Sequence, residues 1–142
     1  MASTMSDDER RAYLSAGTRT GVLSTVRADG RPHAAPVWFV LDGDVVVFMT
    51  GAATVKGRNL RRTGQASLTV DTPEPPYDFV TVTGRVEIID DLDVMLPWSV
   101  RIAARYMGDE QADEFGRRNA VAGELLLRLT PDSTVAMRAV AD

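Results

Sequence analysis

The chain contains no cysteine and a single histidine, His33, among its 142 residues. Without thiols it has no disulfide staple, no thiolate zinc site, no iron–sulfur cluster and no cysteine nucleophile. One imidazole also excludes a His-rich metal site and any charge relay built on two histidines. Lysine is equally scarce: of sixteen basic residues, fifteen are arginine and one is Lys56. No stretch approaches about 18 apolar residues, so no membrane span is expected. The opening Asp7-Asp8-Glu9-Arg10-Arg11 lacks the apolar run of a signal peptide, which points to a cytoplasmic protein. Twenty acidic residues outnumber the basic ones and set a net charge of −4, the wrong sign for holding nucleic acid by the overall field. The phosphate-binding loop, the Gly-x-Gly-x-x-Gly turn, His-Glu-x-x-His and Gly-x-Ser-x-Gly are all missing, which argues against P-loop hydrolysis, a doubly wound dinucleotide fold and a serine esterase.

What is present suits one globular domain spanning residues 1–142. The chain is 44% hydrophobic and 25% charged, and this length buries roughly 68–70% of the unfolded surface without metal or disulfide support. Ser6 and Glu9 have the spacing of a capping box, which predicts a short amphipathic helix ending at Gly17. Alternation from Thr20, the Asp29-Gly30 turn, a strand over about Pro32 to Leu41, the turn at residues 42–44 and a strand from Val45 to Thr50 predict a three-stranded meander. Residues 55–63 suit a helix capped by Thr54 and closed by Gly64. Gln65 to Asp71 reads as a strand. Three prolines in Pro73-Glu74-Pro75-Pro76 then interrupt regular structure. A long strand over Tyr77 to Ile89 follows, with Val80, Val82, Val86 and Ile88 on one face. Helices from Asp90 to Met107 and over about Asp109 to Asn119 precede two last strands, Leu125 to Leu129 and Thr134 to Arg138. The count is six or seven mostly antiparallel strands with helices inserted between them, a small β-barrel of the α+β kind.

The segment richest in chemistry is Thr50-Gly-Ala-Ala-Thr-Val-Lys56-Gly-Arg58-Asn59-Leu60-Arg61-Arg62. It lies where a strand hands over to a helix, so free N–H groups at the helix start can face an anion. Lys56 falls in the first turn, where it opposes the helix dipole, and an anionic ligand would relieve that conflict. Arg58, Arg61 and Arg62 share a helix face; a solvated basic surface is the plain alternative to an anion site. Asp90, Asp91 and Asp93 are read as helix caps and dipole partners rather than metal ligands. Glu110, Asp113 and Glu114 read as a solvated acidic face, and His33 as structural. Trp38 and Phe39 point to opposite faces of a strand, so one of them faces a groove or a partner. Tyr77 and Phe79, two residues apart, either wall a flat ligand or pack the barrel end.

Gly21-Val-Leu-Ser-Thr-Val, Asp29-Gly-Arg-Pro-His33, Pro36-Val-Trp-Phe39, Lys56-Gly-Arg-Asn-Leu-Arg-Arg62, Pro75-Pro-Tyr77 and Arg105-Tyr-Met-Gly108 occur in that order. Together they resemble the flavin and deazaflavin oxidoreductases of the pyridoxamine 5′-phosphate oxidase-like split barrel, particularly the branch that uses coenzyme F420, over roughly residues 8 to 140. The resemblance implies an FMN-binding split barrel that forms a homodimer, with the cofactor in a groove between subunits. Lys56 and Asn59, helped by Arg58 and Arg61, would hold its phosphate and acidic tail. Pro36, Val37 and Trp38 would run beside the ring and Thr50 would meet its polar edge. Tyr77 and Phe79 would close the site from the other subunit. The implied activity is hydride transfer between reduced F420 and a conjugated small-molecule acceptor such as a tetrapyrrole or quinone. No residue is then required as nucleophile or strong base, and none is assigned a catalytic role. The alternatives are FMN on the same fold, or a non-enzymatic carrier of F420, a fatty acid or haem.

Overall fold

A computed structural model describes residues 1–142. Its sheet follows the order β3-β2-β6-β7-β8-β5-β4, with every pairing antiparallel. The strands are β2 (Gly21–Val26), β3 (Pro32–Val37), β4 (Phe39–Asp42), β5 (Val45–Gly51), β6 (Gln65–Asp71), β7 (Phe79–Ile89) and β8 (Glu124–Arg138). The two end strands of this path, β3 and β4, are consecutive in the chain, so the sheet curls round until one residue, Trp38, joins its ends. This is the expected antiparallel split barrel. A two-residue strand, β1 (Ser3–Thr4), pairs with the end of β8 and has no counterpart in the sequence reading.

Where the chain signals are local, the elements fall as expected. Helix α1 (Asp7–Ser15) carries the full capping box between Ser6 and Glu9. Helix α2 (Val55–Thr63) starts on Thr54, whose hydroxyl accepts the Gly57 N–H at 3.1 Å, and ends at Gly64. Helices α3 (Leu92–Met107) and α4 (Asp109–Asn119) follow, the first capped by Asp91 accepting from Asp93 and Val94. No helix is long and apolar enough to cross a membrane.

Three strand expectations are corrected. The strand read as Pro32 to Leu41 is broken at Trp38, where the barrel turns its corner. The long strand begins at Phe79, so Tyr77 stands in the preceding loop with φ at 67°. The last two strands are one, β8, whose register against β7 shifts between Thr83 and Gly84. Asp132 is the extra residue there, and a Cβ on Gly84 would lie 1.9 Å from the Thr130 carbonyl oxygen, so only glycine lets the backbones pass. Residues 130–133, left between the two expected strands, belong to the bulged part of β8, because a bulge and a turn use the same residue types.

Alternation along the strands divides the core in two. Inward side chains of the barrel, including Leu23, Phe39, Phe48, Leu68, Val80, Val82, Leu125, Leu127 and Leu129, pack with Tyr13 and Leu14 of α1 and Leu60 of α2. The opposite faces of β4, β5 and β8 supply Val40, Val47 and Leu126, which α3 covers with Met95 and Ile102. Each such fully buried side chain is worth roughly 1.5–3 kcal/mol. Helix α4 lies against α3 at close range, because the hydroxyl of Ser99 donates to the Gly116 carbonyl at 2.8 Å.

Candidate functional site

Between the sheet and the α3–α4 layer, beside the β3–β4 corner, lies a cleft of ≈ 330 Å³. That volume lies at the lower end of the range for small-molecule sites. Pro36, Val37 and Trp38 form one wall, Ile102 and Ala103 of α3 another, and Met49 part of the floor. Lys56 enters from the first turn of α2, and Asn119 and Glu124 stand at the rim. Lys56 and Glu124 are the cleft's charged residues, and neither takes part in an ion pair with the other or with any third group.

Trp38 is 41% exposed, whereas its neighbour Phe39 is completely buried, as their opposite directions require. The indole is stacked on Tyr106, with centroids 4.8 Å apart and planes 2° from parallel. The Tyr106 hydroxyl accepts the Phe39 N–H at 3.3 Å and donates to the Arg19 carbonyl at 3.0 Å. Burial pushes its pKa up. Next to it, Arg105 donates to the Phe39 carbonyl at 2.7 Å and to the carbonyls of Leu14, Ala16 and Gly17 at the end of α1. Burial, with Arg19 nearby, lowers the Arg105 pKa, while four carbonyl oxygens supply the acceptors its charge needs.

Helix α2 does not turn all its cations to one place. Lys56 faces the cleft. Arg58, Asn59 and Arg62 line a separate groove with Arg27 and Arg31 of the β2–β3 hairpin, and Arg61 borders a third depression beside Asp90 and Glu124. Arg58 and Arg61 have no hydrogen-bond or ion-pair partner, whereas Arg62 donates to the Val26 carbonyl and to Asn59 Oδ1. Asn59 is 3% exposed, and its Nδ2 donates to the Thr25 hydroxyl at 3.0 Å. Thr50 is also buried, its hydroxyl sharing a 3.1 Å hydrogen bond with Thr54.

Of the ten residues expected at the site, Pro36, Val37, Trp38 and Lys56 therefore meet in one cleft. Arg58 and Asn59 lie in the adjoining basic groove and Arg61 beyond it, while Thr50 lies beneath α2. Tyr77 and Phe79 are at the β1–β8 end of the barrel, away from this chain's cleft: Phe79 pairs with Met137, and the Tyr77 carbonyl accepts from Val140. Sequence reasoning missed Met49, Ser99, Ile102, Ala103, Asn119 and Glu124. Ile102 and Ala103 carried only the signal of an apolar helix face, and Glu124 none at all. His33 is half-buried on β3 with its Nδ1 unpaired, and it lines none of the grooves described above.

A family model described as pyridoxamine 5′-phosphate oxidase matches residues 6–134. The chain belongs to that family. Among solved structures, a conserved hypothetical protein from Mycobacterium tuberculosis is similar at 26% identity, with a TM-score of 0.83 over 95% of this chain and 86% of that one. An F420 reductase is also 26% identical, with a TM-score of 0.68 over 87% of this chain and 94% of the other. A haem storage protein from Vibrio cholerae, 19% identical with a TM-score of 0.71 over 93% and 96% of the two chains, shares the fold. The pyridoxamine 5′-phosphate oxidase match thus covers strands β2 to β7, most of β8, the cleft wall from Pro36 to Trp38 and all of α2.

Proposed function

We propose that this protein is an oxidoreductase that transfers a hydride between reduced coenzyme F420 and a conjugated small-molecule acceptor, acting as a homodimer. The observation that carries the reading is the unpaired ammonium of Lys56 in the same cleft as the half-exposed Trp38 ring. An anionic, flat ligand satisfies both. The similarity to an F420 reductase supports the deazaflavin over a flavin, and so do Arg58 and Arg61, free cations beyond what one phosphate needs. When bound, the deazaflavin supplies the hydride chemistry itself.

The protein's part is binding and orientation. Lys56 holds the phosphate. Arg58 and Arg61 extend a positive field along the outside of α2 for an acidic tail. Asn59, fixed to Thr25, contributes by holding Arg62 in place. Pro36, Val37 and Trp38 set the plane of the ring, and Ile102 and Ala103 keep water from one side of it. Thr50 braces Thr54 and so the start of α2.

The second copy is supported by the outward face of the sheet. Across the register it reads Pro32, Ala34 and Pro36 on β3, Val22, Ser24 and Val26 on β2, Ser67 and Thr69 on β6, Phe79, Thr81 and Thr83 on β7, and Ser133 and Val135 on β8. Within these rows no charged residue occurs, although a quarter of the chain is charged; Asp71, opposite Phe79, and Arg85, beyond Thr83, bound the patch at the two ends of the strands. An uncharged patch bounded by charges, on an acidic protein, suits an interface with a second copy. Phe79 lies at one edge of this face and Pro36 at the other, so pairing two copies brings Phe79 and the adjacent Tyr77 towards the partner's cleft.

Titration of the pure protein with F420 and with FMN, followed by fluorescence, tests the cofactor. Tighter binding of F420 is expected, and equal or tighter binding of FMN overturns the assignment. Reoxidation of reduced F420 by a panel of tetrapyrroles and quinones tests the activity; a rate no higher than without protein leaves only a carrier.

A further inference from the structure

The wall of the cleft rests on a residue outside it. Trp38 is the single residue between β3 and β4 and belongs to neither ladder, so sheet hydrogen bonding does not fix its direction. An indole at a barrel corner, 41% exposed, has several rotamers open to it unless something holds it. What holds it is Tyr106, in the last turn of α3. One ring face lies flat on the indole at 4.8 Å. The hydroxyl is anchored to the backbone of the same corner, accepting from the Phe39 N–H and donating its one proton to the Arg19 carbonyl at 3.0 Å, with the Phe39 carbonyl also in reach at 3.3 Å. Arg105 grips the Phe39 carbonyl from the neighbouring position and places its guanidinium 5.1 Å from the Tyr106 ring centre. The pair therefore fixes both the backbone of the corner and the plane of its side chain. With one face of the indole covered, the other is the face left for the cleft.

We propose that Tyr106 is a positioning residue: its ring holds the Trp38 indole as a rigid platform for a flat aromatic ligand in the cleft. This rests on the proposed use of the cleft by a deazaflavin, but the state of the indole can be measured without any ligand. A preset ring saves the entropy of ordering a large side chain on binding. It also explains why a tyrosine, with a polar end that must be satisfied, occupies a place where leucine would pack against the sheet.

The test uses Tyr106→Phe, which keeps the platform, and Tyr106→Leu, which removes it. Trp98→Phe is built into every protein so that Trp38 is the only indole. Tyr13→Phe, which loses hydrogen bonds to Thr72 and Asp78 far from the corner, controls for general loss of stability. Acrylamide quenching and emission of Trp38 are recorded in the free protein, and F420 affinity by titration. The expected result is faster quenching and affinity weaker by roughly two- to tenfold in Tyr106→Leu, from the usual worth of an aromatic pair, with a smaller effect in Tyr106→Phe, which keeps the ring but loses its anchor, and Tyr13→Phe near the parent. Should Tyr106→Leu not fold, Tyr106→Met fills the same space without a ring and carries the same expectation. Unchanged quenching in the leucine or methionine variant overturns the proposal, as does an equal effect in Tyr106→Phe. If the parent binds neither F420 nor FMN, the cofactor reading fails while the quenching comparison still decides the role of Tyr106.

Discussion

Replacing Lys56 with alanine perturbs two quantities in opposite directions. Lys56 is the second residue of α2, whose first turn holds no acidic side chain to offset it. A cation there works against the helix dipole by about 0.3–1 kcal/mol, and alanine adds a few tenths in helix propensity. Because Lys56 has no ion pair to lose, Lys56→Ala should raise the melting temperature of the free protein by about 1–4 °C for a domain of this size. The same change removes a charged hydrogen bond to a bound anion, worth about 1.5–3 kcal/mol, so F420 affinity should fall roughly 10- to 150-fold. Calorimetry on ligand-free protein and fluorescence titration on the same samples measure both. Lys56→Arg keeps the charge and serves as the control, with the melting point near the parent. A lower melting temperature in Lys56→Ala, or affinity within about threefold of the parent, refutes the view that this lysine is kept for a ligand at the cost of its helix.

The remaining expectations concern the frame around the cleft. Gly57→Ala places a Cβ 2.3 Å from the Gly51 carbonyl oxygen, so α2 must lift from β5; a loss of about 1–3 kcal/mol is expected in denaturant unfolding. Asn59→Ala leaves the buried Thr25 hydroxyl without its donor and frees Arg62, costing about 1–3 kcal/mol, which Thr25→Ala in the same background should largely relieve. Hydrogen bonds from Arg11 and then Arg10 hold the Asp44 carboxyl below the ordinary value of about 3.9. A group with a depressed folded-state pKa stabilises above its unfolded pKa and ceases to as pH falls through the folded one, so melting curves should decline below about pH 4 less steeply in Asp44→Asn. Ala34→Glu sets a charge at the centre of β3, among the uncharged rows of the outward sheet face, and should shift sedimentation from dimer to monomer, whereas a parent that already sediments as a monomer while binding F420 tightly removes the need for a second copy.

Much of this molecule is settled by signals that act within three or four residues. The Ser6–Glu9 capping box, the Thr54 and Asp91 caps, the 109–119 helix and the alternation of β2, β6 and β7 follow from side chains meeting their own backbone or from a period of two, so sequence alone determines them. It also singles out Lys56 as a misplaced cation. Tertiary structure decided what each face meets. Helical spacing puts Arg58, Arg61 and Arg62 on one side of α2, but the β2–β3 hairpin divides that side into separate depressions. Spacing could not show that Asn59 would be buried against Thr25, 34 residues earlier, or that Tyr106 would lie flat on Trp38. Nor could it show that one residue would turn the barrel's corner, or that Tyr77 would fall outside the strand that holds Phe79. Such contacts depend on which strands become neighbours as the sheet closes, and that is set by packing over the whole barrel rather than by any stretch of chain within it.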